Sequence, residues 1–305
     1  MSGDLSKFVQ ISYHPLAFVS SALPVAPVDA GTIWAKRSGN FSLTLSPIAV
    51  ITSKGLDNTL PYGKTARAIL HYLVTEARRR NSRFITLPSS QSELLRELGL
   101  AKNARQSQEV ADQLIKVLSM AVGLNLEEAK KLKDGQPTSQ HLLGQMFTVG
   151  KGYQLNLDAE TKTIGPGSVI ELSEAFMENM VNDSIFPVDN EQWRALMAAT
   201  KSSMALDIYL WLAYRLPNLR DDVHLSWETL QDQFGSQIKD IRGFRRKFLE
   251  ALAVVKEYYP QANIEEIGKG ERQGFRGVKI SRSVPALKRD AAKKALQAQD
   301  AADAE

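Results

Sequence analysis

Cysteine is absent from the 305-residue sequence, and histidine occurs only four times, as His14, His71, His141 and His224. Without cysteine the chain has no disulfides and no thiolate zinc site, and histidines this far apart do not form a metal-binding pattern. We therefore expect neither a metal nor another cofactor. His71 falls in an apolar helical pattern, which favours a place in the core.

Long apolar segments are missing as well. No run approaches the roughly 18 consecutive apolar residues of a membrane-spanning helix, and residues 1–10 lack the basic start and apolar centre of a signal peptide. The formal net charge is only +4, so a basic surface has to be local rather than spread over the molecule. The sequence predicts a cytoplasmic protein without a membrane partner.

The C-terminal half contains an informative order of elements. Residues 205–216 form an apolar helical pattern, Val223–Leu225 a short strand, and Ser226 precedes a helix that runs to Phe234 and stops at Gly235. A further helix and a strand pair follow. This order is typical of a winged helix-turn-helix, whose second helix enters the DNA major groove.

That second helix has two distinct faces. Its apolar residues share one arc of the helical wheel: Ile241, Phe244, Phe248, Ala251, Leu252 and Val255. Lys239, Arg242 and Arg246 lie in a narrow arc roughly opposite. One face is therefore expected to pack while the other presents cations. The alternative is an ordinary surface helix whose cations are merely solvated.

The same pattern occurs earlier in the chain, displaced by roughly 136 to 139 residues. Residues 68–74 match the apolar helix, Phe84–Leu87 match the strand, and residues 90–98 match the short helix, which ends at Gly99. Ser90 and Glu93 form a capping-box pattern that marks the start of this helix. The sequence thus predicts an α+β, mainly α fold with two tandem winged helix-turn-helix domains.

The longer helix after Gly99 is predicted from Asn103 to Val122. Its exposed face begins with Arg105 and Gln108, and Lys102 lies just before it. This face is nearly neutral, which suits reading of base edges by arginine and glutamine better than attraction to phosphates.

Two hairpins are candidates for the wings. The first is predicted around Gly150-Lys151-Gly152, with Lys151 at its tip. The second runs out through Gly268-Lys269-Gly270 and Arg272 and returns through residues 275–280. Glycines and cations in such a ribbon allow close approach to a phosphate. A flexible polar hairpin without a partner is the alternative.

These patterns divide the chain into four parts. Residues 1–40 are predicted to be a flexible N-terminal arm, 41–185 an N-terminal winged-helix domain for dimerisation and DNA binding, 186–285 a C-terminal winged-helix DNA-binding domain, and 286–305 a tail. Residues 130–140 are predicted to be a mobile loop. Residues 41–46 read as an outer strand followed by a short helix at 48–51, and such a strand could pair with a second copy.

Several strings, in this order, resemble those of one protein family. They are Leu60-Pro61-Tyr62-Gly63 with Arg67, Thr75-Glu76-Ala77, residues 93–100, Pro187-Val188-Asp189, residues 206–216, Ser226-Trp227, Gln233-Phe234-Gly235 and residues 244–248. Together they resemble the plasmid-encoded RepA family of replication initiators over about residues 40–285. The chain departs from the family at residues 126–145, a polar insertion, and in the few cations on its first recognition helix.

The resemblance implies binding of double-stranded repeats at a plasmid origin, melting of adjacent DNA and recruitment of the host replication initiator and the replicative helicase. It also implies a homodimer that represses its own gene, with monomers that initiate. The alternative is a transcriptional repressor that uses two winged-helix domains and has no initiator role. The candidate DNA-binding residues are Lys102, Arg105, Gln108, Lys151, Lys239, Arg242, Arg245, Arg246, Lys269 and Arg272.

Two enzymatic readings fit poorly. Gly63-Lys64-Thr65 copies the end of a phosphate-binding loop, but Asn58 stands where the loop needs glycine, and Pro61 removes an N–H of the cradle. Rolling-circle initiators nick DNA with a tyrosine beside a metal held by closely spaced histidines, and no His-x-His occurs in the sequence. Tyr209 and Tyr214 lie in an apolar helical pattern. We expect a protein that is not an enzyme.

Overall fold

The computed structural model describes residues 11–20, 23–38, 40–52, 55–131, 137–158, 160–161, 163–182, 184–235, 237–268 and 274–287. The helices are α1 (Ala17–Ser20), α2 (Gly63–Arg80), α3 (Gln91–Glu97), α4 (Ala104–Leu118), α5 (Glu174–Phe176), α6 (Asn190–Ala199), α7 (Ser203–Arg215), α8 (Trp227–Phe234) and α9 (Ile241–Tyr258). A π-helical segment, Met177–Asn182, continues α5, and a 3-10 turn, Leu216–Asn218, ends α7.

More of the chain is in strands than the sequence predicted, so the fold is mixed α/β rather than mainly α. They are β1 (Ile11–Pro15), β2 (Trp34–Ser38), β3 (Phe41–Pro47), β4 (Val50–Thr52), β5 (Gly55–Asp57), β6 (Phe84–Thr86), β7 (Met120–Lys131), β8 (Pro137–Thr148), β9 (Gly150–Gln154), β10 (Val169–Leu172), β11 (Ile185–Asp189), β12 (Val223–Ser226), β13 (Ile264–Ile267) and β14 (Gly277–Ile280).

Two sets of elements repeat the same order. The N-terminal unit consists of α2, β6, α3, α4, β9 and β10, and the C-terminal unit of α7, β12, α8, α9, β13 and β14. Their antiparallel sheets have equivalent strand orders, β6-β10-β9 and β12-β14-β13, with the last strand of each unit in the centre. The repeat of elements that the sequence predicted is therefore confirmed.

The short helices begin at the predicted caps. The hydroxyl of Ser90 accepts a hydrogen bond from the Glu93 amide at 3.2 Å, and that of Ser226 accepts one from the Thr229 amide at 3.2 Å. The second half of the predicted capping box differs, because the Glu93 carboxylate accepts from the Ser89 hydroxyl at 3.4 Å instead. Gly99 follows α3 with a φ of +67°, a left-handed conformation that favours glycine.

The strands β7 and β8 interrupt the N-terminal unit between α4 and β9, and together with β2 and β3 they form a four-stranded sheet of order β2-β3-β7-β8. The polar insertion at residues 126–145 falls in the paired strands β7 and β8. Of the predicted mobile loop at 130–140, residues 130–131 belong to β7 and residues 137–140 belong to β8. Residues 132–136 lie outside the described part. The helix predicted from Asn103 to Val122 ends at Leu118, since residues 120–131 pair in this sheet.

The strand predicted at residues 41–46 is present as β3, but its expected role was wrong. Because β3 pairs with β2 on one side and β7 on the other, its edges are occupied and cannot join a second copy. The outer strands of this sheet are β2 and β8. The short helix expected at 48–51 is also wrong, since Val50–Thr52 is a strand that pairs with Gly55–Asp57.

Most of the predicted flexible arm is folded. Ile11–Pro15 pairs antiparallel with Ile185–Asp189, and Ile11 and Phe18 are buried. The backbone amides of Val25 and Ala26 donate to the side-chain oxygen of Gln237 at 2.8 and 3.0 Å. The prediction failed because these partners lie about 170 to 210 positions further along the chain, where local composition carries no signal.

One continuous hydrophobic core includes residues of both units, from Ala17 to Ile280. The predicted domain boundary after residue 185 falls within β11, and the division into domains stays a prediction. His71 is buried, as predicted, beside His14 and Trp193. None of the helices in the described part of the chain has the length and hydrophobicity needed to cross a lipid bilayer.

A buried ion pair joins α2 to α7. The Nε and Nη2 atoms of Arg67 donate to the two carboxylate oxygens of Asp207, each at 2.6 Å. The same guanidinium donates to the carbonyl oxygens of Leu23, Pro24 and Gly63 at 2.7 to 3.1 Å. Burial raises the pKa of Asp207, and the Arg67 charge opposes that shift. Every donor direction of the guanidinium is used, as a buried cation requires.

We expect Arg67→Met to lower the free energy of unfolding by about 3 to 5 kcal/mol, because it leaves the Asp207 carboxylate buried without a partner. Urea denaturation measures the loss. The double variant Arg67→Met with Asp207→Leu removes both charges and should regain most of the stability. A single variant as stable as the wild type, or a double variant no better than the single one, would contradict this account.

The two buried histidines predict how stability depends on pH. Their Nδ1 atoms lie 3.3 Å apart, a hydrogen bond in which one Nδ1 donates its proton and the other accepts it, so the accepting ring must be neutral. Burial, with a smaller contribution from Arg67, lowers the pKa of His14 to about 3. Burial, with the charges of His14 and Arg79, lowers the pKa of His71 well below its usual value. The unfolded chain, with a histidine pKa of about 6.5, binds protons first as the pH falls.

The pair therefore stabilises the fold fully above about pH 6.5, and this contribution is lost as the pH falls from there toward about 3, by up to about 1.4 kcal/mol per pH unit for each ring. Chemical denaturation at pH 7, 6 and 5 should show the decline. His71→Leu should make that decline shallower, whatever its effect at pH 7. Equal pH slopes for variant and wild type would show that His71 does not titrate on unfolding.

Candidate nucleic-acid interface

Packing of aromatic rings fixes the orientation of α9. The carboxylate of Asp240 accepts a hydrogen bond from the Gly243 amide at 2.7 Å and caps the helix. Phe244 and Phe248 are fully buried, and their ring centroids lie 6.5 and 5.8 Å from that of Trp227. This burial turns the opposite face of α9 to solvent, as the apolar arc predicted.

Two of the predicted cations, Arg242 and Arg246, lie on that exposed face, whereas Lys239 lies just before the Asp240 cap and outside the helix. Lys239 and Arg242 are exposed and have no ion-pair partner within the described residues. Arg246 lies 3.9 Å from Glu250, and both side chains are largely exposed, so water screens this pair and leaves it weak. These three cations are therefore available to a ligand of opposite charge.

Arg245 differs from the prediction. Its Nε and Nη2 atoms each lie 2.6 Å from Oε1 of Glu266, and its guanidinium lies 5.8 Å from the ring centre of Trp227. Since Glu266 is on β13, this contact fastens the strand pair to α9. Arg245 is a structural residue in this arrangement rather than a free cation.

The start of α4 also presents exposed side chains. The side chain of Asn103 accepts from the Gln106 amide at 2.8 Å and caps the helix. Lys102 and Arg105 are exposed, and neither has an ion-pair partner in the part of the chain that the structure describes. Gln108 is exposed too, and its amide donates to the Thr161 carbonyl at 3.2 Å, in the loop between β9 and β10.

The second half of α4 is partly covered, which the sequence did not predict. The β4–β5 hairpin lies beside it, and Lys116 forms an ion pair with Asp57 at 3.5 Å. Ile115 lines the groove between the helix and this hairpin. Within the described residues, the exposed face of α4 is therefore open to solvent mainly over the first half of the helix.

The position predicted for Lys151 was wrong. Lys151 lies in β9, which pairs with β10, and its Nζ is 3.1 Å from Oε1 of Glu171 on that strand. The hairpin expected around residues 150–152 does not form because Thr148 ends β8, which pairs with β7 in the other sheet. The strand pair β9–β10 instead spans residues 150–172. Lys269 and Arg272 lie outside the described residues.

A groove between the N-terminal unit and α6 contains cations that the sequence reasoning missed. It has a volume of about 1050 Å³ and includes Lys102 and Arg105. The additional cations on its wall are Lys64, Arg96, Arg194 and Lys201. These residues come from four separate segments, so no local pattern relates them. The near-neutral face of α4 therefore adjoins a basic surface.

Comparison with known proteins identifies the family. The family model described as "Plasmid encoded RepA protein" matches residues 60–229, more than half of the chain. That range contains α2 to α7 and ends within α8, so it includes both Arg67 and Asp207. No curated protein matches the sequence significantly.

Solved structures support the fold. A crystal structure of RctB domains 2-3 has a TM-score of 0.50 at 11% sequence identity, and the match covers 86% of this chain and 94% of that chain. A crystal structure of selenomethionine derivatives of domains 2 and 3 of RctB has a TM-score of 0.55 at 9% identity, covering 89% and 99%. At such low identity the likeness concerns the fold alone. On the family match, the chain belongs to the plasmid-encoded RepA family, the replication initiators that its sequence motifs resemble.

Proposed function

We propose that this chain binds double-stranded repeats at a plasmid origin and initiates replication there. The observation that carries the proposal is the duplicated unit, in which both long helices, α4 and α9, present exposed cations at their beginnings. The residues concerned are Lys102, Arg105, Lys239, Arg242 and Arg246. One hydrophobic core connects the two units, and in this proposal both helices meet the same duplex.

Each unit is, in this proposal, a winged helix-turn-helix. The short helix and the long helix after it, α3 with α4 and α8 with α9, correspond to the helix-turn-helix pair. The strand pairs β9–β10 and β13–β14 correspond to the wings. The proposed domains are the two winged helices. The described residues of the segment 11–38 pack onto them and are not a free arm in this proposal.

The action at the origin is proposed to need no covalent chemistry and no cofactor. Binding would promote local melting and recruit the host replication initiator and the replicative helicase, and would also repress the gene of the protein itself. We propose that a homodimer forms as well. Since β3 is paired on both sides, it cannot pair with a second copy. We propose instead that β8, an outer strand of the four-stranded sheet, forms the dimer contact.

A transcriptional repressor with the same two units is the competing function. A plasmid that carries this gene and its upstream DNA separates the two. We expect it to replicate, to stop replicating when the gene carries an in-frame deletion, and to resume when the intact protein is supplied in trans. A plasmid that never depends on the gene, while reporter expression from the upstream DNA does, would leave the repressor as the function.

The exposed cations of α9 predict a change in salt dependence. Each phosphate that a protein neutralises adds about 0.9 to the slope of log affinity against log salt concentration. Replacing both Arg242 and Arg246 by alanine should therefore lower that slope by about 1 to 2. Both side chains are exposed, so the melting temperature should not change.

Arg220→Gln is the matched control. Arg220 is exposed and precedes Val223, the residue of β12 that pairs with Ile280. The wing lies at the opposite end of this sheet, where Ile267 pairs with Gly277. Its loss should leave the salt slope unchanged. If the double variant keeps the slope of the wild type, or loses thermal stability, its arginines do not bind phosphates as proposed.

A further inference from the structure

The basic groove between the N-terminal unit and α6 adjoins a second cavity, which reaches α9. This second cavity, of about 500 Å³, shares Lys64 and Lys201 with the first and reaches Lys247 on α9. Because the two cavities share these wall residues, they adjoin each other, and we call them together the inter-unit channel. It extends from Arg105 at the start of α4 to Lys247, beside the exposed cationic face of α9.

The state of these cations decides which of them can bind a ligand. Arg96 is paired with Glu93 and Glu97 at 3.3 and 3.4 Å, and Arg194 donates to the Arg96 carbonyl and lies 3.8 Å from Glu97. Lys64 donates to the Thr200 carbonyl at 3.0 Å. These three cations are therefore already engaged.

Besides Lys102 and Arg105 at the start of α4, two lysines of the channel remain free within the described part of the structure. Lys201 and Lys247 are exposed and form no ion pair there. The acidic residues of the channel are Glu109, which accepts from the Thr65 hydroxyl at 2.7 Å, and Glu250, which lies 3.9 Å from Arg246. Cations outnumber carboxylates along the wall, so the channel favours an anion.

We propose that the inter-unit channel binds the sugar-phosphate backbone of the duplex segment between the two recognition helices, with Lys201 and Lys247 as the phosphate contacts. The inference rests on the proposed function. A duplex that meets the start of α4 and the exposed face of α9 has to pass the wall that joins them. Contacts to phosphates there carry no sequence information, but they fix the register of the duplex on the protein. Continuity with both helices favours DNA over an acidic peptide.

The test uses the full chain with Lys201→Gln and Lys247→Gln combined. The probes are a duplex from the DNA upstream of the gene and a scrambled duplex of the same length. We expect the salt slope to fall by about 1 to 2 on both probes, because phosphates are common to all sequences. Restoring the charges with Lys201→Arg and Lys247→Arg should restore the slope.

Separate controls distinguish this inference from the proposed function. Arg220→Gln should keep the wild-type slope, and melting temperatures should show that the variants fold. If the wild type binds neither duplex, the proposed function fails. If the wild type binds and the α9 arginine variant lowers the slope while the lysine variant leaves it unchanged, the channel does not bind DNA. If the double lysine variant loses affinity for the upstream duplex alone, without a change of the salt slope, the inference would also be overturned.

Discussion

Arg67 and Asp207 lie on α2 and α7, the corresponding helices of the two units, and their buried ion pair constrains how one unit sits on the other. The Arg67 guanidinium also binds the carbonyls of Leu23 and Pro24, which brings the N-terminal segment to the same junction. From there the segment reaches Gln237, in the turn before α9. Removing either charge would leave its partner buried alone, so the pair favours one arrangement of the units over alternatives.

This arrangement gives the interface its form. The starts of α4 and α9 are both exposed, and the wall between them is lined by lysines that come together only because α2, α7 and α9 pack around one core. Arg245 shows that a cation of α9 can have a structural role, since its ion pair with Glu266 holds the strand pair against α9. In the proposed complex, specific contacts and backbone contacts would thus come from different parts of the protein.

Local patterns predicted the parts of this fold that depend on neighbours in sequence. The buried stripe of Phe244 and Phe248, the caps at Ser90 and Ser226, and the repeat of the two units were all readable, because helical periodicity and capping act within a few residues. The missed features depend on distant partners: the pairing of β1 with β11, the burial of β3 between two strands, and the lysine channel. Lys151 was placed at a hairpin tip because alternation in sequence does not reveal which strand a segment joins.

The central claim is that two connected units read one face of the same duplex. Hydroxyl-radical footprinting of the DNA upstream of the gene tests it most directly. Two protected regions about one helical turn apart, roughly 10 to 10.5 base pairs, are expected on the same side of the duplex. Arg105→Ala should weaken only the region at α4, and Arg242→Ala only the region at α9. A single protected region, or two regions on opposite faces of the duplex, would contradict the claim.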